Sequence, residues 1–512
     1  MSPNRRDFIK FVVAGSVAAG CPIDLSLLAE ASETTRTVVD SEHNKLCHEV
    51  RDAVHFRIPP VSGRHDVVIV GGGISGLATA HYLPEKYDWL LLEKERHFGG
   101  NAYAMDYQGA SYATGAAFLL DQEDDAAQLA HELKLQMLPI SGWDATVIQH
   151  KFIPDMWGEN LDQLPYSATV IEKFKRFKRE MLAIDLEKRA HELDNTPMSK
   201  FLTGYPPELH AWWDAYGPSN WGARAAASSS LVAIGDFQGF ASDDRTMTHN
   251  TWPGGNGALT KKLVETMLPT RGERMLREAT IIAVTQQKNE AHVTYMHAGK
   301  LKTVAAKGVI MATPKFITRY LVHDLPHAQN IAMRAMRYCP YPVVNLIYDR
   351  PVFEKAYDTW CPGNRFTDFI PADWTIRNQA GYQSKYNILT FYTPLHDEER
   401  SLLLTDAGSL KVARAVLHDF QRLLPETKVD PLEVHIYRRG HPMFEANPGT
   451  FTRLIPAAKQ PMRNIFFANT DSEGPESLTA GGIVAAKRCI REFEARMQGT
   501  MGAVEAQRTV FA

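Results

Sequence analysis

The chain alternates between short apolar runs and segments with helical spacing. From His65-Asp66 the residues Val67-Val68-Ile69-Val70 are continuously apolar, the pattern of a strand buried on both faces of a parallel sheet. The glycine-rich turn Gly71-Gly72-Gly73-Ile74-Ser75-Gly76 follows, and Leu77 to Leu83 then takes up helical periodicity. A second apolar strand, Trp89-Leu90-Leu91-Leu92, ends at Glu93. Ile281 to Val284 and His292 to Tyr295 read as strands of a small meander with Gly299 at a turn. Residues 122–240 read as helix-rich. They include a helix over Glu123 to Leu133, a charged periodic run from Glu172 to Arg189 with a solvated face, and an amphipathic segment around Trp212-Trp213. Residues 326–455 mix strands, Val343 to Tyr348 and Tyr386 to Tyr392, with a helix over Leu410 to Leu424.

The chain of 512 residues is 44% hydrophobic, enough for two or three structural units and a large core. Lys+Arg 56 against Asp+Glu 59 leaves a net charge of −3, which argues against a dedicated nucleic-acid binder. Cys21, Cys47, Cys339, Cys361 and Cys489 form no CxxC or CxxCH, so clustered zinc and c-type haem find no support. Cys47-His48 reads as a structural cysteine with no second ligand near it.

Residues 1–31 read as an export signal. Arg5-Arg6 precedes Phe8 and Lys10, and the apolar run Phe11 to Gly20 is too short to span a bilayer. The pair of arginines resembles a twin-arginine signal, which implies a periplasmic protein exported already folded. Two cleavage points compete: Ala29-Glu30-Ala31, which is preferred, and Ala18-Ala19-Gly20-Cys21, where lipidation of Cys21 would attach the protein to a membrane. Residues 32–61, with Pro59-Pro60, are expected to pack as an arm. In an oxidising compartment Cys339 and Cys361 become a candidate pair.

The turn after the first strand carries chemistry. Gly71, Gly73 and Gly76 fit GxGxxG: the first for the tight turn, the second for backbone approach to a pyrophosphate, the third for close helix–strand packing. The helix N-terminus offers free N–H groups and a positive dipole end. Glu93, 22 residues after Gly71, stands where an acid binds a ribose 2′-hydroxyl and disfavours a 2′-phosphate.

Past Glu93 the run Lys94 to Ala102, with Phe98-Gly99-Gly100-Asn101, resembles the FAD-binding amine oxidase superfamily. Four further segments resemble that family in order: Tyr112 to Ala117, Trp252 to Leu259, Val309 to Pro314, and Asn464 to Asp471 with Thr479 to Ile483. The resemblance implies an α/β fold, with a Rossmann-like (GR2-type) FAD-binding domain interleaved with an α+β substrate domain. The FAD pieces would be 62–121, 245–325 and 455–495; the substrate pieces 122–244 and 326–454; and 496–512 a tail. It implies FAD held by Gly71, Gly73, Ile74, Ser75, Gly76, Glu93, Lys94, Gly99, Gly100, Asn101, Gly115, Ala116, Ile281, Ala312, Asp471 and Thr479, with no metal.

Many amine oxidases carry a lysine near the flavin in the strand that here is Pro342 to Tyr348; Asn345 stands in its place. The aromatic-cage tyrosine of the closing segment is also absent, with Leu478 nearest by position. Both departures fit a dehydrogenase better than an oxidase. Phe98 to Ala102, Pro253-Gly254-Gly255-Asn256, Asn345 and Ala468-Asn469-Thr470-Asp471 are similar to bacterial spermidine dehydrogenase-like FAD oxidoreductases. In those relatives an Arg-x-x-His element precedes the closing strand. Here it is Arg438-Arg439-Gly440-His441, which implies His441 over the flavin as base or orienter. The expected activity is removal of hydride from a C–H next to nitrogen of an amine or polyamine, with oxygen or a quinone as acceptor. Carboxylates for a cationic substrate would come from Glu473, Glu476, Asp236, Asp243 or Asp244. The alternatives are a desaturase or isomerase acting on C–C bonds of an apolar substrate, and a non-catalytic flavoprotein.

Overall fold

The computed structural model describes residues 35–41, 43–119, 124–242, 249–377, 379, 382, 385–474 and 479–500. The export signal with Cys21, the acids Asp243, Asp244 and Glu476, and Leu478 lie outside the described residues.

A seven-stranded sheet is built around Val61–Val70, whose last four residues are fully buried. Trp89–Leu92 lies parallel on one side and Lys300–Met311 parallel on the other, with helix Ile74–Tyr82 making the first crossover. Ile465–Phe467, from the far end of the chain, also pairs with Lys300–Met311. The meander expected around Ile281 and His292 is present as Ala279–Gln286 and Ala291–His297, antiparallel to each other and continued by Lys300–Met311.

The second sheet has eight strands in the order Arg36–Ser41, Glu433–Arg438, Val343–Tyr348, Asn387–Tyr392, Asp368–Pro371, Thr359–Trp360, Ala145–Ile148, Lys151–Pro154. Alternation along Val343–Tyr348 sorts its two faces. Val344, Leu346 and Tyr348 join an apolar cluster with helix Asp406–Leu423, whereas Val343 and Ile347 join Tyr112, Tyr341, Tyr357, Tyr392 and Tyr437. The second face is therefore lined by tyrosines.

Several expectations are corrected by packing. The run Glu172 to Arg189 is two helices, Ala168–Leu182 and Leu186–Asp194. They part where the Asp185 side chain accepts the Lys188 N–H and caps the second helix. The Trp212-Trp213 helix, Pro207–Trp221, has no dry and wet face at that point, because both indoles are buried among Trp157, Phe177 and Phe237. The arm is not merely draped: Arg36–Ser41 extends the second sheet in parallel pairing with Glu433–Arg438. Cys339 and Cys361 are both free and belong to different apolar clusters, so the candidate pair is not formed. No helix among the described residues is long and apolar enough to cross a membrane.

Candidate functional site

One cavity of about 550 Å³ lies at the C-terminal end of the parallel strands, within the range of roughly 300–1,000 Å³ usual for cofactor sites. It brings together Gly71, Gly73, Ile74, Ser75, Glu93, Lys94, Gly99, Gly100, Asn101, Ala116, Ile281, Ala312, Asp471, Thr479 and His441. Gly76, Gly115 and Asn345 do not line it.

The floor is made by two glycine segments laid against each other. Gly99 donates its N–H to the Gly72 carbonyl at 2.8 Å, and Gly73 bridges Gly99 in parallel fashion. Gly71 has φ +102°, and a Cβ there would stand 2.7 Å from the Ala312 carbonyl oxygen. A Cβ on Gly73 would meet nothing nearer than 3.9 Å, so this glycine keeps the cavity side open rather than serving a turn. Gly115 packs instead on Asn101, whose carbonyl accepts the Ala116 N–H at 3.1 Å.

Two helix N-termini converge here, those of Ile74–Tyr82 and Thr479–Gln498. Their N–H groups and dipoles suit a pyrophosphate. The Ser75 hydroxyl, buried in the first turn, has no hydrogen-bond partner within the protein. An orphaned donor at that place, with an open Gly73 beside it, fits a bound dinucleotide.

Glu93 is buried, and its two oxygens accept the N–H groups of Gly72 at 2.6 Å and Glu95 at 2.8 Å. Burial pushes its carboxyl pKa up; Lys94 and the two N–H groups pull the other way. These bonds fix the carboxylate at the cavity wall and leave it lone pairs for a ribose hydroxyl. Glu93→Ala is expected to weaken FAD binding about 100-fold, since it removes the acceptor and orphans both N–H groups. Equilibrium dialysis that returns fully loaded protein would refute this.

The arm covers the same end. Asn44, Cys47, His48 and Arg51 of the helix region Lys45–Arg51 line the cavity. The His43 ring nitrogen lies 2.9 Å from Glu95, and the Lys94 ammonium donates to the Asn44 side chain at 3.2 Å.

At the opposite wall His441 stacks on Phe316, with ring centroids 4.4 Å apart and planes 25° from parallel. Its loop is pinned from two sides. Asn101 donates to the Pro442 carbonyl at 2.7 Å, and Arg400 donates to the Gly440 carbonyl. Asp471 reaches the cavity, but its carboxylate is committed to protein: Lys315 Nζ at 2.6 Å, the Lys315 N–H at 2.7 Å and the Tyr338 hydroxyl at 2.5 Å. Asn345 sits mid-strand on the tyrosine face, its Oδ1 accepting the Thr390 hydroxyl at 2.6 Å and its amide nitrogen unpartnered. Glu473 is neutralised by Arg488 and Lys459. Lys315 and Tyr338 escape a reading of the chain: each is an ordinary residue in an apolar stretch, and only the fold brings them to Asp471.

A profile described as flavin containing amine oxidoreductase matches residues 74–491. The chain belongs to this family. It is accordingly a flavin-dependent oxidoreductase, and a dinucleotide cleft of this build takes the flavin as FAD. Human amine oxidase [flavin-containing] B is 22% identical over 485 residues, covering 85% of this chain and 86% of that protein. The match to oxidoreductase PigB of Serratia sp. is 23% identical over 279 residues and covers only 40% of that protein. Among solved structures, putrescine oxidase bound to putrescine aligns with TM-score 0.65 and 17% identity over 84% of this chain and 99% of that one. A putative protoporphyrinogen oxidase from Exiguobacterium sp. aligns with TM-score 0.64 and 16% identity over 86% and 99%. At these identities the structures establish a shared fold.

Proposed function

We propose that this flavoprotein is an exported amine dehydrogenase or oxidase that takes a hydride from a carbon bonded to nitrogen. The observation that carries the reading is the tyrosine-lined face beside the cofactor segment. Tyr392 donates its hydroxyl to the Gly115 carbonyl at 3.0 Å, next to Ala116 of the cavity, and Tyr341, Tyr357 and Tyr437 line the same face. Aromatic faces attract a cationic amine, and the hydroxyls are held in place by the protein, Tyr341 by Ser219 at 2.7 Å and Tyr437 by Tyr112 at 2.9 Å. This favours amine chemistry over desaturation of an apolar chain.

Bound in the cleft, the flavin supplies a two-electron acceptor for the hydride. The protein must present the substrate nitrogen unprotonated, so that its lone pair can form the C=N bond as the hydride leaves. Hydrolysis of the C=N product would release an aldehyde with ammonia, or with an amine where the nitrogen carries a second carbon; oxygen or a quinone is the proposed final acceptor. To His441, which lines the cavity and stacks on Phe316 in its pinned loop, we assign the role of taking the ammonium proton or orienting the amine. His441→Ala is expected to slow anaerobic flavin reduction about 10- to 100-fold while flavin content stays the same. Unchanged reduction kinetics would remove His441 from the mechanism. If putrescine, spermidine and simple amines all leave the flavin oxidised while dithionite bleaches it, the amine reading falls.

Export rests on the paired Arg5-Arg6 and the short apolar run after it. The arm that follows the signal roofs the cofactor cleft, which suits a protein loaded with FAD before it leaves the cytoplasm.

A further inference from the structure

The arm helix Lys45–Arg51 has little of its own to hold it in place. None of its 7 residues is buried, and Asn44 at its N-cap makes no side-chain capping bond. A helix this short is unstable alone in water, where about 12–15 residues are needed even for a marginal one. Val50 packs on the rim of the main apolar cluster. Asn44, Cys47, His48 and Arg51 fall at i, i+3, i+4 and i+7, which is one helical face, and all four line the cofactor cavity. A surface helix ordinarily turns an apolar stripe onto protein. Here that stripe carries no aliphatic side chain and faces the cavity instead.

The part of the cavity beneath it is the adenosine end. Glu93, the ribose acid, stands there, and Ala279 donates its N–H to the Glu93 carbonyl at 2.8 Å, which brings Thr280 and Ile281 alongside. The arm is fastened to the same corner. Glu95 accepts the His43 N–H at 3.1 Å, and the Lys94 ammonium reaches the Asn44 side chain at 3.2 Å. Across from the arm, helix Lys315–Leu321 supplies Ile317, Arg319 and Tyr320, with the Arg319 guanidinium 4.0 Å from the Tyr320 ring centroid.

The groups on the helix suit a flat, neutral base. Arg51 holds Asp52 through two parallel bonds, at 2.8 and 3.0 Å, so the faces of its guanidinium stay open to stacking. Burial, with Arg51 and Lys94 close by, holds the His48 ring below its ordinary pKa against the opposing pull of Asp52. The imidazole is therefore neutral near pH 7 and can accept as well as donate.

We propose that Lys45–Arg51 is a clasp on the adenosine half of FAD, with His48 and Arg51 against the adenine, and that the cofactor leaves only when this helix lifts. The clasp depends on the cofactor that the family uses and not on the amine reading. The base supplies the packing that the helix lacks, so FAD and the closed arm favour each other by the same factor. When the helix lifts, the pairing of Arg36–Ser41 with Glu433–Arg438 keeps the arm tethered for reclosure.

The first measurement is release of FAD from diluted holoenzyme, followed as flavin that passes an ultrafiltration membrane. Release is expected about 10- to 100-fold faster from the double variant His48→Ala, Arg51→Ala than from wild type, and unchanged in Lys45→Ala, which lies on the same helix but off the cavity. Release from the double variant at the wild-type rate overturns the proposal, and so does equal acceleration by Lys45→Ala. The second measurement needs no variant. Trypsin cleavage after Lys45, Arg51 and Arg57 of the flavin-stripped full chain, read by mass spectrometry, is expected to fall about 10-fold with FAD and with saturating ADP, but not with FMN, which lacks the adenosine. Protection by FMN equal to that by ADP, or protection by FAD without any by ADP, overturns the clasp. Neither measurement requires turnover, so a protein inert toward every amine leaves both outcomes readable.

Discussion

Lys315→Met is expected to destabilise the protein by about 3–5 kcal/mol and to release its flavin. Lys315 and Asp471 are 0% and 1% exposed, and their charged atoms lie 2.6 Å apart. The ammonium also donates to the Ser472 hydroxyl at 2.6 Å. Without it the Asp471 carboxylate keeps only the Lys315 N–H and the Tyr338 hydroxyl, too little to offset a buried charge. Burial and that same carboxylate hold the Tyr338 phenol well above its ordinary pKa, so it stays a donor and cannot accept a charge-balancing role. Asp471 lines the cofactor cavity, so its relaxation toward solvent would open the wall where Thr470 and Thr479 stand. The measurement is the urea midpoint of flavin release and of tryptophan fluorescence. The double variant Lys315→Met with Asp471→Asn should recover part of the loss, because no unpaired charge remains. A single variant with a wild-type midpoint would show that the pair contributes little.

Gly76→Ala is expected to yield protein with less than about a tenth of the wild-type flavin and a weakened sheet–helix junction. A methyl group there would stand 1.8 Å from the Gly71 carbonyl oxygen and 3.0 Å from its carbon. Both partners are backbone, so no rotamer change relieves the overlap; helix Ile74–Tyr82 must move off the strand. Gly73→Ala is the informative control. Its methyl would enter open cavity, so it should lower flavin affinity while the apoprotein keeps its melting temperature. Flavin-to-protein absorbance and the apoprotein melting curve separate the two. Equal flavin content in Gly76→Ala and wild type would mean that the close approach is not needed.

The glycine turn was legible because its demands are local. Gly71, Gly73 and Gly76 serve one strand, one turn and one helix, all within a dozen residues. Glu93 follows from the next strand by simple counting. What escaped depends on residues far apart. Lys315 and Asp471 are 156 positions apart, and Tyr338, which bonds the same carboxylate, is 133 positions from it. Such pairings leave no periodicity to read. Asn345 shows the complementary limit: its place on the tyrosine face follows from alternation in the strand, but whether it reaches the cofactor depends on how the sheet lies against the cleft. The two helices in Glu172 to Arg189 were hidden for a smaller reason, since a charged run looks alike on either side of a cap at Asp185.

The edge strand Arg36–Ser41 also orders events in time. Its partner Glu433–Arg438 is made last among the strands of its sheet, and Arg36 and Glu433 lie 397 positions apart. During synthesis at roughly 5–20 residues per second the first strand therefore waits on the order of tens of seconds for its neighbour. Such a long-range closure is slow and comes late. A chain that stops before Glu433 has nowhere to seat this strand, so docking of Arg36–Ser41 reports that synthesis has passed Arg438.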